Sequence, residues 1–245
     1  MCGRYSLFVD PERIETRFDV TVEEYEPRYN AAPGQSLPVI TDDEADTLTR
    51  AEWGLIPPWA KRREDGGHIN ARAETLQEKA SFRASFEQSG STGGRCLVPA
   101  DGFYEWTDID GRNQPFRVTV DGGDLFALAG LWAEWEPPTT QTGLDAFTDD
   151  GTAETESETV RTFSIVTTEP NDVVRDLHHR MAVILPRGDE RAWLDAGVSG
   201  ASGRLAPAPA DGMNYYPVST AVNDPSNDRP GVVERADIGD AEPAG

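Results

Sequence analysis

The sequence predicts an α+β fold with an antiparallel, barrel-like β core and peripheral helices. Many short segments rich in β-branched and aromatic residues alternate with turns that contain Gly and Pro, and few segments have helical periodicity. The chain has 245 residues, of which 37% are hydrophobic, enough for one sizeable core. We therefore expect residues 1–229 to form a single domain.

The first predicted helix begins at Asp10 and Pro11. Asp10 is a favourable capping residue, Pro11 suits the first helical position, and Ile14 and Phe18 fall on one helical face. The prolines and glycine of residues 27–34 then predict a loop. Further along the chain, the pattern predicts strands over residues 38–40 and 52–56 and a helix over residues 75–88.

The centre of the chain is predicted to be rich in strands. Residues 95–99 and 102–106 flank a Pro-Ala-Asp-Gly turn at residues 99–102. The same patterning predicts strands over residues 117–120, 125–135, 161–168 and 218–222, and a short helix over residues 189–196.

Two segments are predicted to lie outside the core and to be exposed to solvent. Residues 136–160 carry seven acidic residues, no basic ones and many Thr, Gly and Pro, and we predict an acidic surface loop there. Residues 230–245 are predicted to be a disordered acidic tail. No apolar run approaches the roughly 18 residues of a membrane span, and the N-terminus lacks the apolar core of a signal peptide. These features predict a cytoplasmic protein without membrane association.

The charge of the chain is strongly negative. Lys and Arg number 22 against 44 Asp and Glu, a net charge of −22, and the only lysines are Lys61 and Lys79. An acidic composition with so few lysines favours halophilic adaptation, although an ordinary acidic protein would have the same charge. Taken alone, this charge argues against a nucleic-acid partner, because phosphate binding normally needs a basic surface.

Cysteine and histidine are scarce. Cys2 and Cys96 cannot form a disulfide framework, and neither they nor His68, His178 and His179 have the spacing of metal ligands. We expect no metal site and no cofactor.

Cys2 is the residue with the most distinctive chemistry. Methionine aminopeptidases remove Met before a small residue, which would leave a free amine and a thiol on adjacent carbons of Cys2. Because an α-amine has a pKa of about 7.7–8.0, much of it is neutral near pH 7 and can form a Schiff base with an aldehyde. The thiol then closes a five-membered thiazolidine. Position alone does not distinguish such a reagent from a cysteine that merely follows the start codon.

Seven segments stand in order along the chain: residues 1–5 (MCGRY), 28–35 (RYNAAPGQ), 53–57 (WGLIP), 69–75 (INARAET), 95–106 (RCLVPADGFYEW), 178–181 (HHRM) and 218–223 (VSTAVN). In this order they resemble the sequence blocks of the SRAP (SOS response-associated peptidase) family. One departure is Ala182, where the family usually has proline. The resemblance implies a protein that captures abasic sites in single-stranded DNA, a role in DNA damage, self-processing peptidase chemistry and strand-nicking lyase chemistry.

The resemblance also implies roles at matching positions. Cys2 would be the nucleophile, Asn70 would hold and polarise the reacting centre, Glu105 would act as acid or base near the Cys2 amine, and His178 would assist sugar-ring opening. His179 falls at a variable position of the family. These residue types suit the chemistry, because ring opening needs a proton donor and imine formation needs both an acid and a base.

A further set of residues is expected at the DNA. Arg4, Arg72 and Arg180 adjoin the catalytic blocks and would contact phosphates, although ion pairs with an acidic surface are an alternative. Trp59, in a loop after two prolines, would stack on a base or else belong to the core. Asn30, in the second block, is also expected at the DNA interface.

Two other classes of function remain open at this stage. An N-terminal-nucleophile amidohydrolase would use the same amine and thiol but needs an oxyanion hole, which the sequence does not reveal. A non-enzymatic single-strand binder would survive the loss of Cys2 and would give no adduct with aldehyde-bearing DNA.

Overall fold

The computed structural model describes residues 2–88, 92–137 and 159–238, and it confirms an α+β fold built around a β-barrel. The strands form two sheets that share one core. They are β1 (Tyr5–Leu7), β2 (Arg28–Ala31), β3 (Ser36–Thr41), β4 (Thr49–Trp53), β5 (Asn70–Arg72), β6 (Gly93–Ala100), β7 (Gly102–Ile109), β8 (Arg112–Val120), β9 (Phe126–Trp135), β10 (Val160–Thr168), β11 (Met181–Ala182) and β12 (Met213–Pro217).

Five strands close the barrel. The order β10-β4-β3-β6-β9 returns to β10 because β9 and β10 also pair, from Trp135↔Val160 to Gly130↔Ile165. Most pairings are antiparallel, as predicted, but β10 runs parallel to β4 and to β5. The barrel wall is lined inside by apolar side chains such as Leu37, Val98 and Leu128, all fully buried. The barrel is therefore a packed core.

The second sheet has the order β12-β8-β7-β1-β2 and carries the N-terminal segment. It meets the barrel at Asp101, between β6 and β7, whose carboxylate accepts hydrogen bonds from Ser6 Oγ at 2.7 Å and from Arg117 Nη2 at 2.8 Å. Gly102 follows, and a Cβ there would lie 2.7 Å from the Arg117 guanidinium carbon, so no larger residue fits. This corner fixes β1, and with it the position of Cys2.

The helices lie outside the sheets. They are α1 (Pro11–Phe18), α2 (Ala80–Glu87), α3 (Asp172–Arg175), α4 (Glu190–Asp195) and α5 (Val198–Ser202). Helix α1 starts as predicted, with Pro11 in its first turn and Ile14 buried. Helix α2 is shorter than the predicted 75–88, because residues 73–75 form a separate 3₁₀ turn.

Three sequence predictions were wrong. Residues 28–31, predicted as loop, form β2, because they pair with β1 from Tyr5↔Ala31 to Leu7↔Arg28. The Asp228 carboxylate also accepts from the backbone N–H of Tyr29 and Asn30 at 2.6 and 3.0 Å. Within residues 218–222, predicted as strand, the chain enters a 3₁₀ turn (Thr220–Asn223) that the Ser219 side chain caps. Residues 230–238, predicted as disordered tail, pack on the sheet with Val232 buried.

Other segments lie partly or wholly beyond the described residues. The predicted acidic loop at 136–160 falls almost entirely outside them, and so do residues 239–245 of the predicted tail. Within the described part of the chain, no helix combines the length and apolar character that crossing a membrane requires.

Candidate active site around Cys2

Cys2 is fully buried, just before the first strand. The backbone N–H of Tyr104 donates to the carbonyl of Arg4 at 3.0 Å, so β7 holds the chain immediately after Cys2. Burial and, to a smaller extent, the nearby Glu105 carboxylate raise the pKa of the Cys2 thiol to about 12. At neutral pH this sulfur is therefore a thiol, and it is not a ready thiolate nucleophile.

Asn70 also holds Cys2 in place. Its Nδ2 donates to the carbonyl oxygen of Cys2 at 2.9 Å, while its Oδ1 is buried and accepts no hydrogen bond from the described residues. Asn70 begins β5, which pairs with β10 at Ile165, and the preceding carbonyl of Ile69 accepts from Trp53 Nε1 at 2.9 Å. The amide is thus fixed by the barrel and presents an acceptor beside Cys2.

Glu105 lies in β7 with 2% of its surface exposed. Strand β7 pairs with β1 through Tyr5↔Phe103, and the same register continued toward the N-terminus brings Gly3 opposite Glu105. Burial disfavours the ionised carboxylate and raises the pKa of Glu105 to about 7. Near neutral pH the group is thus divided between carboxylic acid and carboxylate, which suits both general acid and general base catalysis.

His178 lies in the turn between α3 and β11. Its backbone N–H donates to Val174 at the end of α3, which Asn171 caps. Its Nδ1 lies 3.0 Å from the backbone N and 3.1 Å from the backbone O of Arg180. The backbone of Arg180 can therefore pair with either neutral tautomer of His178. When Nδ1 accepts from the Arg180 N–H, the ring proton is on Nε2; when Nδ1 donates to the Arg180 carbonyl, Nε2 is a free base. Partial burial lowers the pKa of His178, so the ring is mostly neutral at pH 7.

His179 is exposed and stacks on His178, with ring centroids 4.2 Å apart and an interplanar angle of 28°. The two rings thus differ in environment. His178 is the one held by backbone contacts.

Arg180 is engaged by a carboxylate. Its guanidinium donates to both oxygens of Glu74, at 2.6 and 2.9 Å, and to the carbonyl of Thr167 at 2.8 Å, and its side chain is 12% exposed. Because Glu74 follows the strand of Asn70 and Arg180 follows His178, this pair joins the two segments that carry them. A phosphate at Arg180 would have to share the guanidinium with Glu74. Sequence reasoning missed Glu74, although it lies in the block of residues 69–75.

Arg4 and Asn30 form one network. Arg4 Nη1 donates to Asn30 Oδ1 and to the carbonyl of Val222, both at 2.9 Å, and its guanidinium lies 5.9 Å from the ring centre of Trp106. Asn30 is fully buried, and its Nδ2 faces the carbonyls of residues 222, 224 and 227 at 3.0–3.2 Å. This differs from the expectation that Asn30 contacts DNA: its amide is satisfied inside the protein, where it orients Arg4.

Arg72 and Trp59 are at the surface. Arg72 is exposed at the end of β5, and no carboxylate of the described residues lies within ion-pair distance of its guanidinium. Trp59 is 59% exposed, the one large hydrophobic side chain in the described ranges that is exposed. It is therefore not a core tryptophan.

The described residues contain no cluster of three or more His, Cys, Asp and Glu side chains that could hold a metal ion. The chemical groups that the structure places at Cys2 are a buried thiol, the Asn70 amide and the Glu105 carboxyl group, whose pKa lies near neutrality. Such a set can move protons at a nitrogen or oxygen atom.

Comparison with known sequences gives one family and a set of named relatives. The profile of the family described as SOS response associated peptidase (SRAP) matches residues 1–225. Abasic site processing protein YoqW of Bacillus subtilis (strain 168) is 38% identical over 244 residues, covering 96% of this chain and 99% of the relative. Abasic site processing protein HMCES of Xenopus tropicalis is 30% identical over 278 residues, covering 94% of this chain and 77% of the relative.

Solved structures show the same fold. A crystal structure of a protein from Bacteroides thetaiotaomicron superposes with a TM-score of 0.78 at 25% identity, covering 96% of this chain and all of the other. One from Bordetella bronchiseptica gives a TM-score of 0.72 at 26% identity, covering 89% of this chain and all of the other.

Proposed function

This chain belongs to the SRAP family, and from that membership and the geometry around Cys2 we propose that it processes abasic sites in single-stranded DNA by a covalent cross-link. The relatives named above are abasic site processing proteins. The observation that carries the proposal is the position of Cys2, buried and held by Asn70 at 2.9 Å beside the carboxyl group of Glu105.

The first step requires an amine at Cys2. Removal of Met1 gives that amine, and its nitrogen attacks the aldehyde carbon of the ring-opened abasic sugar. The raised pKa of the Cys2 thiol favours this order, because a protonated sulfur is a weaker nucleophile than a neutral amine. Glu105 in its ionised form takes the proton that the amine loses, and its pKa of about 7 makes that form available at neutral pH.

The second step forms the imine. The carbinolamine loses water when an acid protonates its hydroxyl, and Glu105 in its protonated form or His178 at Nε2 supplies that proton. His178 also serves the closed sugar, whose ring oxygen needs a proton when the ring opens. The two tautomers that Arg180 supports allow His178 to give a proton and to recover it.

The third step closes the ring. The Cys2 sulfur bonds to the former aldehyde carbon, and the thiol proton passes to the imine nitrogen. Nitrogen, the two cysteine carbons, sulfur and the sugar carbon then form a thiazolidine, and one water is released overall. The buried Oδ1 of Asn70 is a suitable acceptor for the amine or for a sugar hydroxyl during these steps.

Two associated activities follow from the same groups. An imine that is not captured by sulfur permits strand cleavage, which is lyase chemistry. The peptidase of the family description is proposed here as self-processing at the N-terminus, because a thiol with a pKa of about 12 does not favour attack on external peptides. We propose Arg4, Arg72 and Arg180 as phosphate contacts and Trp59 as a stacking surface for a base.

Gel electrophoresis under denaturing conditions tests the proposal. The protein is incubated with a single-stranded oligonucleotide that carries an abasic aldehyde, and with a matched oligonucleotide whose abasic sugar has been reduced. The proposal predicts a heat-stable adduct with the aldehyde and none with the reduced sugar. A non-covalent binder would give no adduct with either oligonucleotide, and that result would overturn the proposal.

A further inference from the structure

One stretch of this acidic protein carries a net positive charge. Residues 59–83 contain six basic and four acidic residues, a net charge of +2, so the rest of the chain carries −24. Both lysines of the chain, Lys61 and Lys79, fall in this stretch. The electrostatic potential at this segment is therefore less negative than over the rest of the chain, which favours approach of a negatively charged partner.

Several of these cations are not neutralised by the protein. Lys61, Arg72, Lys79 and Arg83 are all exposed, and within the described ranges none has a carboxylate at ion-pair distance. The pairs in the same stretch involve its other members: Arg62 with Asp65 at 3.0 Å, Arg63 with Glu52, and Glu74 with Arg180.

The exposed cations lie around Trp59. Its Nε1 is 3.5 Å from the carbonyl of Ala80, in the first turn of α2. Lys79 immediately precedes that helix, and Arg83 follows one turn later, with its backbone N–H donating to the Lys79 carbonyl at 2.9 Å. Lys61 is two residues from Trp59. Lys79 and Arg83 are thus one helical turn apart at the start of α2, where the exposed ring of Trp59 contacts Ala80.

This surface is connected to the segment that holds Cys2. Phe82 of α2 packs edge-on against the ring of His68, with centroids 5.4 Å apart. His68 pairs with Leu55 and precedes Asn70 by two residues. The contact between His68 and Phe82 thus joins α2 to the segment that leads to Asn70, which binds the Cys2 carbonyl.

We propose that Lys61, Lys79 and Arg83, together with Trp59, form a flanking-strand surface that binds the phosphates and one base of the DNA beside the abasic nucleotide. The inference rests on the proposed function, and it adds Lys61, Lys79 and Arg83, for which no role has been given above. A nucleic-acid strand fits the chemistry, because its phosphates match the cations and its unpaired bases match the exposed indole. The protein has a net charge of −22, which repels DNA, and a local basic surface would offset that repulsion where the strand binds.

The test compares a short and a long substrate. The short one is a trinucleotide whose central sugar is abasic, and the long one extends the same sequence on both sides. The variant Lys79→Gln/Arg83→Gln removes two cations, and Arg112→Gln/Arg191→Gln is the matched control, since both of its arginines are exposed and neither forms an ion pair with described residues.

We expect the wild type and the control to cross-link the long substrate faster than the trinucleotide. The Lys79/Arg83 variant should lose most of that advantage but keep the trinucleotide rate, which also shows that it is folded. For the long substrate, the slope of log capture efficiency against log salt should become shallower by about 1.4, since each contact to a single strand contributes about 0.7. A variant that keeps the wild-type ratio and slope would overturn the inference.

Failure of the proposed function gives a different result. If the wild type captures neither substrate, the covalent chemistry is refuted. The surface is then tested by fluorescence anisotropy with an unmodified single strand. Weaker binding by the Lys79/Arg83 variant than by the control supports the surface, and equal binding overturns it.

Discussion

Replacing Glu105 with glutamine separates the catalytic role of its carboxyl group from its cost to stability. The side chain is 2% exposed, and burial raises its pKa from the ordinary 4.5 to about 7. Glutamine has nearly the same shape, but it can neither take up nor release a proton. We therefore expect the variant to cross-link abasic DNA more slowly than the wild type by about 10²-fold or more.

The same shift has a consequence for the free energy of unfolding. The folded protein binds this proton more tightly than the unfolded chain does, so the stabilisation is complete below about pH 4.5 and is lost as the pH rises to about 7. One pKa unit corresponds to about 1.4 kcal/mol, so the loss is about 3 kcal/mol. Because glutamine mimics the protonated acid, the Glu105→Gln variant should be more stable than the wild type at pH 8 by about that amount.

Two measurements check this reasoning. Denaturant unfolding at a series of pH values should show a difference in stability that is largest at pH 8 and disappears below about pH 4. The rate of cross-linking should depend on a group with a pKa of about 7 in the wild type, and this dependence should be absent from the variant. A variant that is no more stable than the wild type at pH 8, or that keeps the same pH profile, would refute the assignment of Glu105.

The other predictions concern the nucleophile, the histidines and salt. Cys2→Ala should lose the heat-stable adduct but still form a transient imine that borohydride traps; a wild-type yield of stable adduct would contradict the role of the thiol. His178→Ala should slow cross-linking by about 10²-fold or more, and His179→Ala much less; in rate measurements, the reverse order would shift the role to His179. Cross-linking should persist in molar KCl, because the Debye length there is only about 3 Å and distant carboxylates no longer repel DNA. In that salt Trp59→Ala should lower adduct yield more than Arg72→Ala, since stacking is worth about 1–3 kcal/mol per base and phosphate contacts weaken with salt. Loss of cross-linking above physiological salt, with circular dichroism unchanged, would refute the halophilic interpretation of the site.

The sequence predicted those parts of the fold that depend on local patterning. Strands β6 to β10 were predicted because their apolar and aromatic residues are consecutive or alternating. Three of them, β6, β9 and β10, belong to the five-stranded barrel, and β7 and β8 belong to the second sheet. Strand β2 was missed because its backbone pairs in part with the carboxylate of Asp228, about 200 residues away in the chain. No local pattern carries that information.

The candidate site was predictable for a different reason. The blocks that contain Cys2, Asn70, Glu105 and His178 are recognisable as sequence, and the structure shows Asn70 and Glu105 at Cys2. The environment of each residue was harder to predict from the sequence. Asn30 was expected at the DNA because it lies in such a block, yet three distant carbonyls surround its amide.

The role of Glu74 shows the same limit. From the sequence alone, the carboxylate of Glu74 would be interpreted as a solvated surface charge. Its bidentate pairing with Arg180, 106 residues away, forms only in the folded chain. Pairing of this kind also decides which arginines are available to a phosphate. Arg72 is exposed, whereas a phosphate at Arg180 would share the guanidinium with Glu74.

The intact mass of the protein tests the central claim most directly. The isolated protein should lack Met1, and after incubation with abasic single-stranded DNA its mass should increase by that of the oligonucleotide less one water. Because the imine and the thiazolidine have the same mass, the adduct is also heated and treated with borohydride. A thiazolidine survives heating and gains no hydrogen. An adduct that retains Met1, or that borohydride reduces completely, would contradict capture by the amine and thiol of Cys2.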